Sequence, residues 1–543
     1  MIRPLLAAVA VAALLSGCGD GGGQRPSCTP GKLCLMLNNG TDPGTLDPAK
    51  VTGTWENNIV ADVFEGLLTE GPTGEPVPGM AESWTTSADG LVWTFKLRNA
   101  TWSDGQPVTA DDFVFSLRRL QDPTTASEYA YLLNVVEGAQ AINEGRAPPE
   151  TLGVRAIDPK TLEIRLNHPA PYLLGLLTHS TSFPVPAHVV RKLGDAWVQP
   201  GNMVSNGPFT LQSWALGDRI RIVKNPRYYD ADKVCLDEVH YFVMSDYVAA
   251  ERAVRRGELD WSTRIAANRI NFLRQPDQIP QYVQTHVWLT NAYMIFNADS
   301  PKFKDARVRR AIAMAIDREF IVNKARRAGE TASYSFVPPG IANYPQGARV
   351  RWADMPFEQR QQEARRLLAE AGYGPDNPLR FEIMHRGIDH GVLWPAIQAD
   401  LKAIGVEVTL TGAESQVAYA ALRNRDFEVG DAGWVADFND PINFLELNRS
   451  STGAQNYGDY KNPAYDALLA QADREPDIAK RAEFLRQAEQ MFLDDMPVAP
   501  LFFGPSSNLV TPDLTGFVPN IEDDHRKRWM CFKNADARRA AAR

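Results

Sequence analysis

The sequence predicts a mixed α/β protein of several domains, and three observations carry that reading. The chain has 543 residues, more than one compact core organises. Segments that alternate apolar and polar residues are interleaved with segments whose apolar residues return every three or four positions. At LRFEIMH, IQADLKAIG and VEVTLTG, residues 379–385, 397–405 and 406–412, a strand, a helix and a strand follow one another as in a β-α-β unit.

Along the chain, LCLMLNNG (33–40) reads as a strand running into the turn TDPGTLDP. ENNIVADVFEGLLTE (56–70) reads as a helix, with Ile59, Val63 and Leu67 four apart and Gly66 weakening its end. LVWTFKLR (91–98) alternates as a strand. TADDFVFSLRRLQD (109–122) opens a helix at Thr109 with Asp111 and Asp112 in the first turn. LEIRLNHPAP and FTLQSWALGDRIRIVKNP are strands separated by turn residues. In the second half, Val308, Ile312, Ile316 and Phe320 form a helical stripe, and FEQRQQEARRLLAEAGYG is a helix stopped at Gly372. Two helices fill 463–495, and VAPLFF (498–503) is a buried strand. No tandem repeat is visible.

The N-terminus assigns a compartment. MIRPLLAAVAVAALLSGC places Arg3 before an apolar run from Leu5 to Leu15, of signal-peptide length and short of a membrane span. Leu15-Ser16-Gly17-Cys18 resembles a lipobox, so residues 1–17 are expected to be a signal peptide and Cys18 the lipidated residue. Gly19–Gly31 then forms a flexible tether, with 18–31 the lipidated linker as a whole. The four other cysteines allow three pairings that spacing cannot decide; Cys28–Cys34 with Cys235–Cys531 is preferred. No metal and no cofactor are expected: there is no CxxC pair, and the closest histidines, His385 and His390, sit in the loop HRGIDH.

Lys and Arg number 57 against 66 Asp and Glu, a formal net charge of −9 without any basic cluster. This argues against a nucleic-acid partner. No GxSxG, HExxH, GxxxxGK or helix-opening GxGxxG motif is present, so no enzyme is expected. One segment stands apart. GDAGWVADFNDPINFL (430–445) sets Asp431, Asp437 and Asp440 among Trp434, Phe438, Phe444 and Leu445, in a stretch too rich in glycine and proline to be one helix.

AESWTTSADGLVWTFKLRNATWSDGQPVTADDFVFSLRRL, residues 81–120, resembles the signature of the oligopeptide/dipeptide receptors of ABC importers, solute-binding protein family 5. NNGTDPGTLDP, VSNGPFTLQSW, KNPRYYD, GELD, FKDARVRRAIAMAIDRE and AGWVADFNDPINFL follow in the family's order, and the likeness is greatest to the oligopeptide receptors. The resemblance implies a three-domain periplasmic-binding-protein fold whose two lobes close on a ligand by a hinge. Domain I would comprise 32–64, 190–285 and 500–534, domain II the insertion 65–189, and domain III 286–499, with 535–543 a frayed tail.

It also implies roles. Asp437 would receive the α-ammonium of a bound peptide. Thr52, Gly53 and Thr54 on one side and Gly433 to Val435 on the other would hydrogen-bond its main chain, as a strand added to an edge. Trp434 and Tyr129 would line side-chain pockets, and Arg326 would supply a cation for the terminal carboxylate. Asp431 stands where some relatives have arginine, which bears on capture of the shortest peptides. Arg264 reads first as a solvated surface arginine and second as a further cleft cation, and Asp440 before Pro441 as a turn or cap residue. The expectation is a lipid-anchored, monomeric receptor on the periplasmic side of a bacterial membrane, touching that membrane by its anchor alone. It would pass peptides to a permease with ATPase subunits and do no covalent chemistry. The alternative is the same fold retuned for an opine, a glycoside or a nickel chelate.

Overall fold

The computed structural model describes residues 28–345, 347–386 and 391–542. Residues 1–17, Cys18 and His390 lie outside them. Three large sheets organise the chain. A seven-stranded mixed sheet runs in the order Val283–His286, Ser506–Val510, Trp261–Ser262, Cys34–Asn38, Glu238–Phe242, Arg219–Lys224 and Phe209–Ala215. Its central strand, Cys34–Asn38, is buried throughout, as a strand covered on both faces must be. A four-stranded antiparallel sheet is built from Ala81–Thr86, Val92–Leu97, Thr161–Arg165 and Val154–Asp158. The third, six-stranded, is ordered Thr331–Ala332, Val498–Phe503, Thr290–Phe296, Val429–Val435, Arg380–Arg386 and Glu407–Ala413.

The β-α-β unit is present, with Arg380–Arg386 and Glu407–Ala413 parallel across the helix Leu393–Ala403. The helix Ala110–Gln121 starts after Thr109, whose N–H donates to Asp112 Oδ2 at 2.9 Å. The helix Phe357–Glu370 ends before Gly372, which takes φ +87°, a conformation that favours glycine. Val498–Phe503 is buried at every position.

Four expectations are corrected. The helix foreseen over 56–70 is Thr54–Val63 only; the chain turns extended at Phe64, and Leu68–Glu70 pairs with Pro76–Pro78. Where a stripe from Val308 to Phe320 was expected, the helix Ala306–Ala315 breaks at an extended Ile316, and Phe320 is exposed. There Arg318, fully buried, donates to the carbonyls of Ala313, Ile316 and Pro500, which binds the broken end to the neighbouring strand. Since Val498–Phe503 belongs wholly to the six-stranded sheet, the return to the seven-stranded one falls after residue 503, not at 500. The tail expected to fray is the helix Ala535–Ala541, held by Arg538 on Asp260 and Asp513 and by Arg539 on Asp237.

Disulfides join Cys28 to Cys34 and Cys235 to Cys531. The C-terminal segment is further held by three successive cations on acids of 62–70. Arg526 pairs with Glu70 at 2.6 Å, Lys527 with Asp62 at 3.3 Å and Arg528 with Glu65 at 2.5 Å. No helix among the described residues is long and apolar enough to cross a membrane.

Candidate functional site

The segment 430–445 holds its three carboxylates in three different ways. Asp431, buried in the strand Val429–Val435, faces Arg386, whose Nη2 lies 3.0 Å from Oδ1 and Nε 3.2 Å from Oδ2; Arg386 also donates to the Tyr419 hydroxyl at 2.6 Å. Asp440, 1 % exposed, receives both Arg481 Nη atoms at 2.8 and 2.9 Å. It also caps the N–H of Ile442 at 3.0 Å, so the cap role foreseen for it is accompanied by a buried ion pair. Among the described residues Asp437 has neither lysine nor arginine within ion-pair distance; the one basic group there is His179, with Nε2 3.5 Å from Oδ1.

That histidine does not neutralise it. Burial, with Arg526 adding to the effect, pushes the His179 imidazole down to about 3, so it is uncharged at neutral pH. Burial pushes the Asp437 carboxyl up to about 7; the hydrogen bond from Asn443 works against this and the nearby Asp524 works with it. An acid so placed has no positively charged partner among the described residues.

Its surroundings are ordered. Asn443 Nδ2 donates to Asp437 Oδ2 at 3.2 Å, and Asn443 Oδ1 accepts from the Asp437 N–H at 3.1 Å and from Trp434 Nε1 at 2.8 Å. Trp434 stacks on Tyr129 with centroids 6.2 Å apart, and Tyr129 stacks on His179 at 5.5 Å. Three near-parallel rings thus wall the carboxylate, with Tyr129 and His179 supplied by the part of the chain that carries the four-stranded sheet.

The same strand offers main-chain groups. Val429–Val435 pairs along its length with Thr290–Phe296, but on its other side it meets Arg380–Arg386 only at Val429 and Gly430. Among the described residues, the second edge of 431–435 is therefore open. Trp434 gives its N–H to Asn291 Oδ1 and its carbonyl accepts from Thr290 Oγ1, while the Ala436 N–H bonds the Leu289 carbonyl. Alternation along a strand then turns the N–H and C=O groups of Gly433 and Val435 to the open edge. Gly433 cannot carry a side chain there, because a Cβ would lie 2.7 Å from the Asn291 carbonyl oxygen.

Other expected residues lie apart from this group. Thr52 and Gly53 give their N–H groups to the Glu56 carboxylate at 2.8 and 3.0 Å, and the Gly53 carbonyl accepts from Glu56 and Asn57. Main-chain binding by 52–54 is thereby narrowed, since two donors and one acceptor serve the start of the helix Thr54–Val63. Thr52 and Thr54 are exposed. Arg326 is paired with Glu330 at 2.7 Å and lies over the Phe502 ring. It lines a cavity of 130 Å³ together with Arg264, Trp288 and Gly504. Arg264 is exposed, as its first reading has it, with its guanidinium 5.8 Å from the Trp288 ring centre. His179, Asn443 and Arg386 were not singled out by the sequence reading. Only Asn443 carried a signal, as the amide inside the aromatic segment.

Comparison with known proteins agrees with this architecture. The family model for bacterial extracellular solute-binding proteins, family 5 (Middle), matches residues 75–456. The "Periplasmic oligopeptide-binding protein OppA" of Escherichia coli (strain K12) is 38% identical over 527 residues, covering 95% of each chain. The "Probable deoxycholate-binding periplasmic protein YgiS" of the same organism is 37% identical over 496 residues, covering 90% of this chain and 92% of its own. A crystal structure of Haemophilus influenzae OppA in complex with RPPGFSPFR superposes with a TM-score of 0.88 at 32% identity, covering 92% of this chain and 99% of that one. The chain belongs to the family 5 bacterial extracellular solute-binding proteins and has their periplasmic-binding-protein fold.

Proposed function

We propose that this chain is the extracytoplasmic receptor of an ABC importer and that its solute is a peptide with a free N-terminus. The observation that carries this reading is Asp437, a buried carboxylate left without a fixed cation between two carboxylates that each have one. An α-ammonium is the positive group common to all unblocked peptides, and a charge-assisted hydrogen bond to it is strong and directional. The open edge at Gly433 and Val435 supplies sequence-independent main-chain pairing, and Trp434 and Tyr129 wall the first side chain. From 52–54 the Thr52 carbonyl would take part, and Arg326 with Arg264 would meet the distal end of the ligand.

The proposed division keeps three bodies, 32–64 with 190–285 and 504–534, then 65–189, then 286–503, with ligand between the first and the third. Lipidation at Cys18 would anchor a monomer to the periplasmic side of the membrane, where closure presents a surface to the permease and its ATPase subunits. No covalent chemistry is involved; the ligand stabilises the closed state by its differential affinity.

The likeness to YgiS favours a second reading, a bile-acid-like solute. Deoxycholate is an anion, however, and an unpaired buried carboxylate opposes it. The test is calorimetry of the protein and of Asp437→Ala with a tripeptide, its N-acetylated form and deoxycholate. The expected result is a loss of two to three decades in affinity for the free peptide, from breaking a buried pair worth about 3–5 kcal/mol. The acetylated peptide should bind weakly and equally to both proteins. Equal losses for both peptides, or tight deoxycholate binding with no peptide binding, would overturn the reading.

A further inference from the structure

A second polar cluster lies outside the Asp437 site. His286 and His525, far apart in sequence, direct Nε2 at the same oxygen, Oδ1 of Asp523, at 3.0 and 2.9 Å. The three atoms fall within 4.8 Å of one another. The two rings stand at 89° with centroids 5.8 Å apart, so they approach from different directions. Side-chain exposures are 9 % for His286, 15 % for Asp523 and 3 % for His525.

The packing fixes all three. His286 ends the strand Val283–His286 opposite Ser506. His525 is stacked on Phe517 at 4.0 Å and edge-on to Trp261 at 5.8 Å. Asn508 Nδ2 donates to Asp523 Oδ1 at 3.1 Å. Nδ1 of His286 is buried and has no hydrogen-bond partner. The Asp523 carboxylate can only accept, so in this arrangement the ring proton of His286 sits on Nε2; a cation bound there would take its place, and the proton would move to the unpartnered Nδ1. The nearby ammonium of Lys527 is paired with Asp62.

We propose that His286, Asp523 and His525 bind one divalent transition-metal ion of the zinc class, through Nε2 of each imidazole and a carboxylate oxygen. Two imidazoles and a carboxylate are ligands such an ion prefers, at about 2.0–2.2 Å. Ligand atoms in a tetrahedral site stand roughly 3.3 Å apart, a few tenths of an ångström from the two present imidazole-to-carboxylate distances of 3.0 and 2.9 Å. Asp523 also lines the 130 Å³ cavity with Ser506 and Ser507, from which water can fill a fourth position. The site would tie two crossing segments together, since Leu289 and Trp288, just after His286, bond the carbonyls of Ile521 and Glu522. The ligands lie 237 and 2 residues apart, a spacing no sequence motif for zinc contains.

The test uses the untagged chain, stripped of metal and titrated with zinc against a chromogenic chelator. Anomalous diffraction at the zinc edge then locates the ion. One equivalent should bind, with a peak between the three side chains, and His286→Gln and His525→Gln should each weaken it at least tenfold while still binding peptide. Zinc bound no more tightly than in the two variants, or an anomalous peak elsewhere, would overturn the proposal. The diffraction arm needs no variant to fold.

Discussion

Asn443 grips Asp437 twice, donating Nδ2 to its carboxylate and accepting its backbone N–H on Oδ1, and the same Oδ1 receives Trp434 Nε1. One amide thus fixes the acid, its loop and the indole beside it. Asn443→Ala would leave the Trp434 N–H without its partner in a buried place. The expected result is a stability loss of about 1–3 kcal/mol, read as a lower unfolding midpoint in urea. Peptide affinity should fall roughly tenfold. Asn443→Asp is the sharper variant, because a second carboxylate there raises the Asp437 pKa further and should move the pH dependence described next to higher pH.

Burial pushes the Asp437 carboxyl up to about 7, against the hydrogen bond from Asn443 and with the help of Asp524. Only its ionised form pairs with an ammonium, and the bound ammonium lowers its pKa. Peptide affinity should therefore weaken about fivefold between pH 7 and pH 6 and about tenfold more between pH 6 and pH 5, with about half a proton released on binding at pH 7 and close to one at pH 6. Above about pH 8 the peptide's own α-amine loses its charge, which places the optimum between the two limits. Calorimetry in buffers of different ionisation enthalpy reads the proton directly. A flat profile from pH 5.5 to 7.5 would contradict the role of Asp437. For folding the sign is opposite. A carboxyl raised above its unfolded value of about 3.9 contributes stability below that pH and loses it as pH rises to about 7, so the empty protein should gain more from peptide at pH 8 than at pH 5.

Gly433→Ala separates main-chain from charge recognition. Its Cβ would lie 2.7 Å from a backbone oxygen that cannot swing away, so the strand must move off Thr290–Phe296. The expected cost is about 1–3 kcal/mol in stability. Free and N-acetylated peptides should lose affinity alike, in contrast to Asp437→Ala, where only the free ones lose. Calorimetry on the same four combinations decides between them.

Period and turn chemistry made most elements legible. The strands at 34–38, 92–97 and 498–503, the capped helix after Thr109 and the β-α-β unit all follow from local pattern. The failures share a cause in tertiary contacts. Apolar spacing continues past Ala315, yet the chain breaks there, and buried Arg318 satisfies the freed carbonyls from a position that reads as a surface cation. The terminal helix looked unstructured because its partners, Asp237, Asp260 and Asp513, are distant in sequence. At the site, Trp434 and Asp437 stood out as an indole and an acid in one broken segment. Which of three acids lacked a cation was not legible, since Arg386 and Arg481 lie 45 and 41 residues from the acids they pair with.

Asp440 and Arg481 define the last test. Both are nearly inaccessible, joined by two hydrogen bonds, and the guanidinium lies 5.3 Å from the ring centre of Tyr172, so this one pair links the loop after Asp437 to the long helix Ile478–Asp495 and to the segment carrying Tyr172. Arg481→Met leaves a buried carboxylate uncompensated and should cost about 3–5 kcal/mol. In a body of this size that lowers Tm on the order of 10 °C. Asp440→Asn in the same chain removes the stranded charge and keeps the cap on Ile442, so the double variant should recover a large part of the loss. Peptides should still bind the double variant with their preference for a free N-terminus, because Asp437 is untouched. A double variant no more stable than Arg481→Met alone would mean that packing of the arginine stem against Tyr172, and not its charge, holds the loop in place.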